Sequence, residues 1–113
     1  MVKNESNKGK RILRFRFLGK DYPVDTWKEL LISVSEILYD EHSSIFYDKA
    51  KELRGSKLTY FSKNRDGMRE PREVGNTSIY VETKWDADAM EKISRELIRY
   101  FGYSDRDLTI SKF

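Results

Sequence analysis

The chain has 113 residues and no cysteine, so it forms neither a disulfide nor a thiolate metal site. This length fits one domain, and a composition with 36% charged and 13% aromatic residues predicts a well-hydrated surface around an aromatic core. No apolar run approaches the roughly 20 residues of a membrane-spanning helix, and the polar residues 1–10 lack the apolar centre of a secretory signal. We therefore expect a cytoplasmic protein that does not enter a membrane.

Positive charge is concentrated at the N-terminus. Residues 1–20 carry seven Lys or Arg and one acid, a net charge of 7 − 1 = +6, whereas the rest of the chain carries 15 basic and 18 acidic residues, a net charge of −3. A basic segment on a mildly acidic body is typical of proteins that contact a polyanion, usually nucleic acid. The competing interpretation is a solubilising tail or a linker.

The chain begins with a polar, basic segment, residues 1–10, that we expect to be a disordered arm. Residues 11–18 then alternate between apolar and polar side chains and predict a strand. Its inward-facing residues are Leu13, Phe15 and Phe17, and its outward-facing residues are Arg14 and Arg16. A Gly-Lys-Asp turn and a short extended segment around Pro23 follow, and they complete a predicted hairpin.

Two helices are predicted after the hairpin. Thr26 to Glu29 matches a capping box, and apolar residues then repeat at helical spacing to about Glu41. A shorter helix is predicted for residues 44–54, with Gly55 as its C-terminal cap.

The second half of the chain predicts two strands, a helix and a last strand. In chain order these are a strand at 57–62, a long loop at 63–77, a strand at 78–85, a helix that is capped by Asp86 or Asp88 and ends at Gly102, and a strand at 107–112. The order β-β-α-α-β-β-α-β predicts an α+β fold, in which three helices cover a mainly antiparallel sheet of four to five strands. We expect residues 11–113 to form this single domain.

Most catalytic patterns are missing from the sequence. The single histidine, His42, follows Asp40 and Glu41, and three consecutive residues cannot share one face of a helix. We therefore interpret His42 as part of the polar end of a helix rather than as a metal ligand. The sequence contains no Gly-x-Ser-x-Gly, Gly-x-Gly-x-x-Gly or Walker motif, so it predicts neither a serine hydrolase of that type nor a nucleotide cradle.

One catalytic pattern remains as an alternative. The strand around Val81 ends in Glu82-Thr83-Lys84, which resembles the Glu-x-Lys core motif of restriction-type nucleases. In such an enzyme Glu82 and Asp66 would hold Mg²⁺, and Lys84 would position the attacking water. Asp66 lies in a glycine-containing turn rather than at the start of a strand, so we favour a solvated strand face with alternating charge. Mg²⁺ belongs to this alternative alone, and no other cofactor or metal is expected.

The favoured interpretation is a non-enzymatic module that binds nucleic acid through the arm and the first strand. The candidate phosphate contacts are Lys8, Lys10, Arg11, Arg14, Arg16, Lys63, Arg65, Arg69 and Arg72. The aromatic residues that would offer stacking surface if exposed are Tyr22, Tyr60, Phe61 and Tyr80. Core packing is the competing interpretation for these rings. A further alternative is a protein-interaction or dimerisation module that uses the strand edge at 57–62, with a protein or a parent chain as its partner.

Two segments carry a resemblance to known domains. They are Gly19-x-Asp21-Tyr22-Pro23-Val24-x-x-Trp27-x-x-Leu30-Leu31 and Ile79-Tyr80-Val81-Glu82-Thr83. Together they resemble small uncharacterised domains that are appended to prokaryotic restriction, nuclease and phage-defence proteins. The resemblance implies an accessory module that contacts DNA, and it carries over no catalytic residue.

Overall fold

Two three-stranded antiparallel sheets and three α-helices make up the part of the chain that the computed structural model describes, residues 7–55 and 59–112. The elements are β1 (Ile12–Phe17), β2 (Lys20–Pro23), α1 (Trp27–Glu41), α2 (Phe46–Ala50), β3 (Phe61–Ser62), β4 (Pro71–Glu73), β5 (Tyr80–Glu82), α3 (Ala87–Tyr100) and β6 (Leu108–Lys112). A short 3-10 turn at Asp105–Asp107 leads into β6. No helix in these ranges is long and apolar enough to cross a lipid bilayer.

The α+β class is confirmed, but the single sheet of four to five strands is corrected to two sheets. Their strand orders are β2-β1-β6 and β3-β5-β4. The additional strand, β4, lies inside the segment 63–77 that the sequence predicts as a loop. It has three residues and begins with Pro71, which lacks an N–H for a ladder, so it carries no periodic signal and depends on pairing with β5.

Strand β1 contains a β-bulge that changes the prediction for one residue. Phe15 and Phe17 are buried as predicted, but Leu13 is 40% exposed. The register with β6 shifts between Ile12 and Arg14, so one extra residue is inserted at Leu13 and the alternation is displaced. Ile12 occupies the inward position instead, with 3% of its surface exposed.

Helix α1 begins at the predicted cap. Thr26 Oγ1 accepts a hydrogen bond of 3.1 Å from the backbone N–H of Glu29. The Glu29 carboxylate accepts a 2.7 Å hydrogen bond from the N–H of Asp25, one residue before the position that a capping box uses. The start of α1 is therefore fixed by local hydrogen bonds that the sequence specifies.

The other helices differ in how well the sequence defines their ends. Helix α2 is shorter than predicted, and Gly55 has no positive φ and does not cap it. Helix α3 is capped by Asp86 and ends in a Schellman motif, in which Gly102 (φ +94°) donates to Arg99 and Tyr103 donates to the carbonyl of Ile98. The predicted glycine stop of α3 is thus confirmed.

One hydrophobic cluster joins both sheets and all three helices. It contains buried residues of every layer, for example Phe15, Leu31, Phe46, Val81 and Leu97. Helices α1 and α3 pack against each other, and this packing brings the first turn of α1 close to the first turn of α3.

The end of the predicted arm is attached to helix α3. The backbone N–H of Asn7 donates to Asp88 Oδ1 at 2.7 Å, and its side-chain amide donates to Glu91 Oε1 at 2.8 Å. Asn7 is only 2% exposed. The predicted disorder of residues 1–10 stays a prediction for residues 1–6, which lie outside the described residues. Residues 57 and 58 of the strand predicted at 57–62 also lie outside the described residues.

Candidate nucleic-acid interface

The outward face of β1 carries two exposed arginines, Arg14 and Arg16. Strand β1 is the central strand of its sheet, so both guanidinium groups project from a rigid element. The residues directly across from them on β2 and β6 are Asp21, Pro23, Thr109 and Ser111. These neighbours are exposed or half-buried, which leaves the face accessible to solvent.

Arg16 forms an ion pair with Asp21 on the neighbouring strand. Their side chains meet at two points, Nε–Oδ1 at 3.0 Å and Nη2–Oδ2 at 3.3 Å. The hydrogen bond to Asp21 raises the pKa of Arg16, and the hydrogen bond from Arg16 lowers the pKa of Asp21. Asp21 therefore competes with any phosphate that approaches Arg16.

The basic arm runs from the start of α3 to β1. Lys8 is exposed and lies in a small recess beside Asp86 and Ala87, at the first turn of α3. The carbonyl of Lys10 accepts a 3.1 Å hydrogen bond from the indole N–H of Trp27. Arg11 is exposed and directly precedes β1. These predicted site residues are therefore continuous with the arginines of β1 along the chain.

The four basic residues of the segment 63–77 do not lie together. Lys63 Nζ lies 4.7 Å from the ring centroid of Tyr47, and the Arg65 guanidinium lies 5.6 Å from that of Tyr80. The remaining two, Arg69 and Arg72, are also exposed. Arg69 lies in the loop before β4, and Arg72 lies on β4, where its charge lowers the pKa of Glu70. The nine predicted residues thus occupy several places rather than one continuous surface.

The burial of Glu82 corrects the interpretation that its strand face is solvated. The residue is 2% exposed, and its carboxylate accepts three backbone hydrogen bonds. Oε1 accepts from Arg69 at 2.8 Å, and Oε2 accepts from Glu70 at 3.1 Å and from Lys84 at 2.9 Å. The loop before β4 folds over β5, so a side chain on the predicted solvent face becomes buried. Lys84 remains exposed as predicted.

The two carboxylates of the nuclease alternative, Asp66 and Glu82, line one recess, which has a volume of about 390 Å³. Asp66 lies in an exposed turn there, where its N–H donates to Asn64 Oδ1 at 2.9 Å. Glu82 already receives three N–H donors, which compete with a cation for its lone pairs. Across residues 7–55 and 59–112 there is no group of three or more His, Asp or Glu side chains that could hold a metal ion.

The predicted stacking residues are mainly structural. Tyr60 and Phe61 are 7% and 1% exposed, so core packing is the correct interpretation for both. Tyr22 is half-buried and stacks on Phe15, with ring centroids 4.9 Å apart. Tyr80 is half-buried, and the Arg65 guanidinium lies over its ring.

Both tryptophans of the chain line a cleft of about 620 Å³ that the sequence did not predict. Trp27 is the first residue of α1, and Trp85 directly precedes the N-cap of α3. Three cations, Lys28, Arg69 and Lys84, line the same cleft, which we call the tryptophan cleft. The signal that could have found it is a tryptophan at the start of each of two helices, which meet once those helices pack.

Two acidic residues, Glu70 and Asp86, also line the tryptophan cleft, and Glu70 lies close to the cations. Its carboxylate forms a hydrogen-bonded ion pair with Lys28. That hydrogen bond lowers the pKa of Glu70, and the charges of Lys28, Lys84 and Arg72 lower it further against the opposing effect of desolvation. The tryptophan cleft therefore combines aromatic rings with an excess of positive charge.

His42 has the structural role that the sequence predicts. It is the C-terminal cap residue of α1, and its backbone N–H donates to the carbonyl of Leu38 at 2.9 Å. Its ring Nε2 lies 2.8 Å from the hydroxyl of Tyr103. The ring thus ties the end of α1 to the segment that follows α3.

Comparisons of this chain with protein-family models, curated proteins and solved structures give no match. The resemblance to domains of prokaryotic restriction and defence proteins therefore stays a prediction.

Proposed function

We propose that this chain is a non-enzymatic accessory module that binds nucleic acid through its basic arm and the outward face of β1. The observation that carries the proposal is the exposure of Arg14 and Arg16 on one face of a central strand, which the arm reaches directly through Arg11. A guanidinium group offers several N–H donors in a planar fork that suits phosphate oxygens. A rigid sheet holds two such groups at a fixed spacing.

The surroundings of the arginines support the same chemistry. Thr109 and Ser111 lie across from Arg16 and Arg14 on β6, where their hydroxyl groups are suited to hydrogen bonds with phosphate or sugar oxygens. The +6 charge of residues 1–20 would add long-range attraction to a polyanion. With about six phosphate contacts, the plot of log affinity against log salt concentration would have a slope near −5.

The experiment that tests the proposal measures fluorescence anisotropy of labelled duplex and single-stranded oligonucleotides of mixed sequence, at low salt and at about 0.15 M salt. We expect binding that weakens steeply with salt and is lost in Arg14→Glu/Arg16→Glu. The matched control is Lys51→Glu/Lys92→Glu, which changes the net charge equally at exposed positions after α2 and on α3.

Binding that is equal in the two double variants would withdraw the β1 face from the proposal. No binding of either oligonucleotide at low salt would withdraw the function as a whole. It would direct attention to the protein-interaction alternative, for which analytical ultracentrifugation at high protein concentration tests self-association.

The Mg²⁺-dependent nuclease remains the rival because Asp66 and Glu82 line one recess. The hydrogen bonds to Glu82 indicate a structural carboxylate instead. Incubation of the purified chain with Mg²⁺ and DNA distinguishes a nuclease from a non-enzymatic module. Cleavage that is lost in Asp66→Asn, an exposed position, would support the nuclease, and intact DNA would count against it.

A further inference from the structure

The tryptophan cleft lies apart from the arginines of β1 and carries a different chemistry. Both indole N–H groups are already used, by the carbonyl of Lys10 at 3.1 Å and the carbonyl of Glu82 at 2.8 Å. What Trp27 and Trp85 offer to a ligand is therefore the exposed part of their half-buried rings. The Lys112 ammonium already lies over the Trp27 ring, 5.7 Å from its centroid. Tyr60 packs edge-on against Trp85 with centroids 5.6 Å apart, so that ring is supported from the core.

The charge of the cleft comes from exposed cations and partnered acids. Asp86 Oδ1 accepts a 2.8 Å hydrogen bond as the cap of α3, and Glu70 is paired with Lys28. Arg69 and Lys84 are exposed, and within the described ranges neither forms an ion pair. An anionic group that enters the cleft would therefore find two cations that form no direct ion pair with a carboxylate, and it would share only the longer-range attraction of Lys84 with Glu70.

The cleft is also continuous with the basic arm. Lys10 is bonded to Trp27 through its carbonyl, and the recess beside Lys8 shares Asp86 and Ala87 with the cleft. A strand that leaves the cleft on this side would reach Lys8 and the arm, and it would also pass the carboxylates of Asp86 and Asp88. The cleft is open to solvent rather than enclosed, which suits a nucleotide that stays joined to its strand.

We propose that the tryptophan cleft binds an unpaired nucleotide of single-stranded nucleic acid, with the base against the indole rings of Trp27 and Trp85 and the phosphate at Arg69 and Lys84. This inference rests on the proposed function and extends it from general phosphate binding to recognition of an unpaired base. Aromatic rings beside cations are the recurring solution for single strands, because every base has a face that stacks. A fully paired duplex has no free base for this cleft.

The test uses the intrinsic tryptophan fluorescence of the full chain, because both tryptophans of the protein lie in this one cleft. A short oligothymidylate should change the fluorescence, and the change should saturate with the binding that anisotropy reports. Lys84→Glu should weaken oligothymidylate binding by about tenfold or more, whereas the control Lys92→Glu should change it by less than about twofold. Trp85→Leu is a second variant, and its folding is checked by circular dichroism.

Three results would overturn the inference. Oligonucleotide binding that depends on Arg14 and Arg16 but leaves the tryptophan fluorescence unchanged would exclude the cleft and leave the proposed function in place. An oligoglutamate peptide that changes the fluorescence as strongly as oligothymidylate would assign the cleft to acidic protein segments. No binding of either single-stranded or duplex DNA would overturn the proposed function and this inference together.

Discussion

The carboxylate of Glu82 on strand β5 accepts a hydrogen bond of 2.8 Å from the backbone N–H of Arg69, which lies 13 residues earlier in the chain. With the further bonds from Glu70 and Lys84, this carboxylate closes the loop before β4 over the second sheet. The side chain that looks most catalytic in the sequence thus positions Arg69 and Lys84 at the tryptophan cleft.

Replacing Glu82 by glutamine should destabilise the fold. The amide group would place an N–H donor where the carboxylate now accepts, and at least one of the three part-buried backbone N–H groups would lose its partner. We expect Glu82→Gln to lower the free energy of unfolding in urea by about 1–3 kcal/mol. The control Glu41→Gln, at an exposed position, should stay within about 0.5 kcal/mol of the unaltered chain. Equal stability of the two variants would contradict the structural role.

The hairpin turn offers a stabilising substitution. Leu18 has φ +52° and Gly19 has φ +83°, and positive φ at both central residues is the signature of a type I′ turn. Leucine is strained in this conformation, whereas asparagine tolerates it, and Leu18 is 52% exposed and loses little packing when replaced. We expect Leu18→Asn to raise the free energy of unfolding by about 1 kcal/mol. Leu18→Ala, which keeps the Cβ atom and shortens the exposed side chain, should give no gain.

The bulge in β1 makes opposite predictions for two adjacent aliphatic residues. Ile12 is 3% exposed, and Ile12→Ala should cost about 2–5 kcal/mol of unfolding free energy. Leu13 is 40% exposed, and Leu13→Ala should cost less than about 1 kcal/mol. Urea titration of both variants checks the order. A larger cost at Leu13 would mean that β1 follows the unbroken alternation of its sequence.

The contact between the arm and α3 should depend on pH through Glu91. Burial raises the pKa of this carboxyl, but the hydrogen bonds from Asn7 and Arg95 and the charges of Arg95 and Lys112 outweigh burial, so the pKa lies below its ordinary value of 4.5. Ionised Glu91 therefore stabilises the folded state above pH 4.5, and this contribution is lost as the pH falls through the lowered pKa.

We expect urea titrations at successively lower pH to show that Glu91→Gln loses less stability on acidification than the unaltered chain. Glu96→Gln is the control on the same helix, where Glu96 contacts Lys92 at 3.8 Å. If the free energy of unfolding falls as steeply with pH in Glu91→Gln as in Glu96→Gln, the role of Glu91 is refuted.

Asp21 should restrain nucleic-acid binding. Asp21→Asn removes the ion pair and leaves Arg16 more available to phosphate, so oligonucleotide affinity at low salt should rise roughly two- to fivefold. Asp25→Asn removes the same charge at a nearby exposed position and serves as the control in anisotropy titrations. An equal gain in both variants would trace the effect to net charge rather than to the pairing of Arg16.

The sequence by itself determined the elements that depend on close neighbours along the chain. The sequence correctly predicts the Thr26 cap, the stop of α3 at Gly102 and the inward positions of Phe15 and Phe17. Each is set by interactions within a few residues, such as a cap hydrogen bond, a left-handed glycine or the alternation of a strand. The placement of Arg14 and Arg16 on an exposed face follows from that same alternation.

Only the tertiary structure decided which distant segments meet. The bulge at Leu13 depends on pairing with β6, and the burial of Glu82 depends on the loop that folds over it. The tryptophan cleft exists because α1 and α3 pack with their starts close together, so that Trp27 and Trp85 line the same cleft. Such contacts join residues that are far apart in sequence, and packing and hydrogen-bond satisfaction, rather than local propensity, select them.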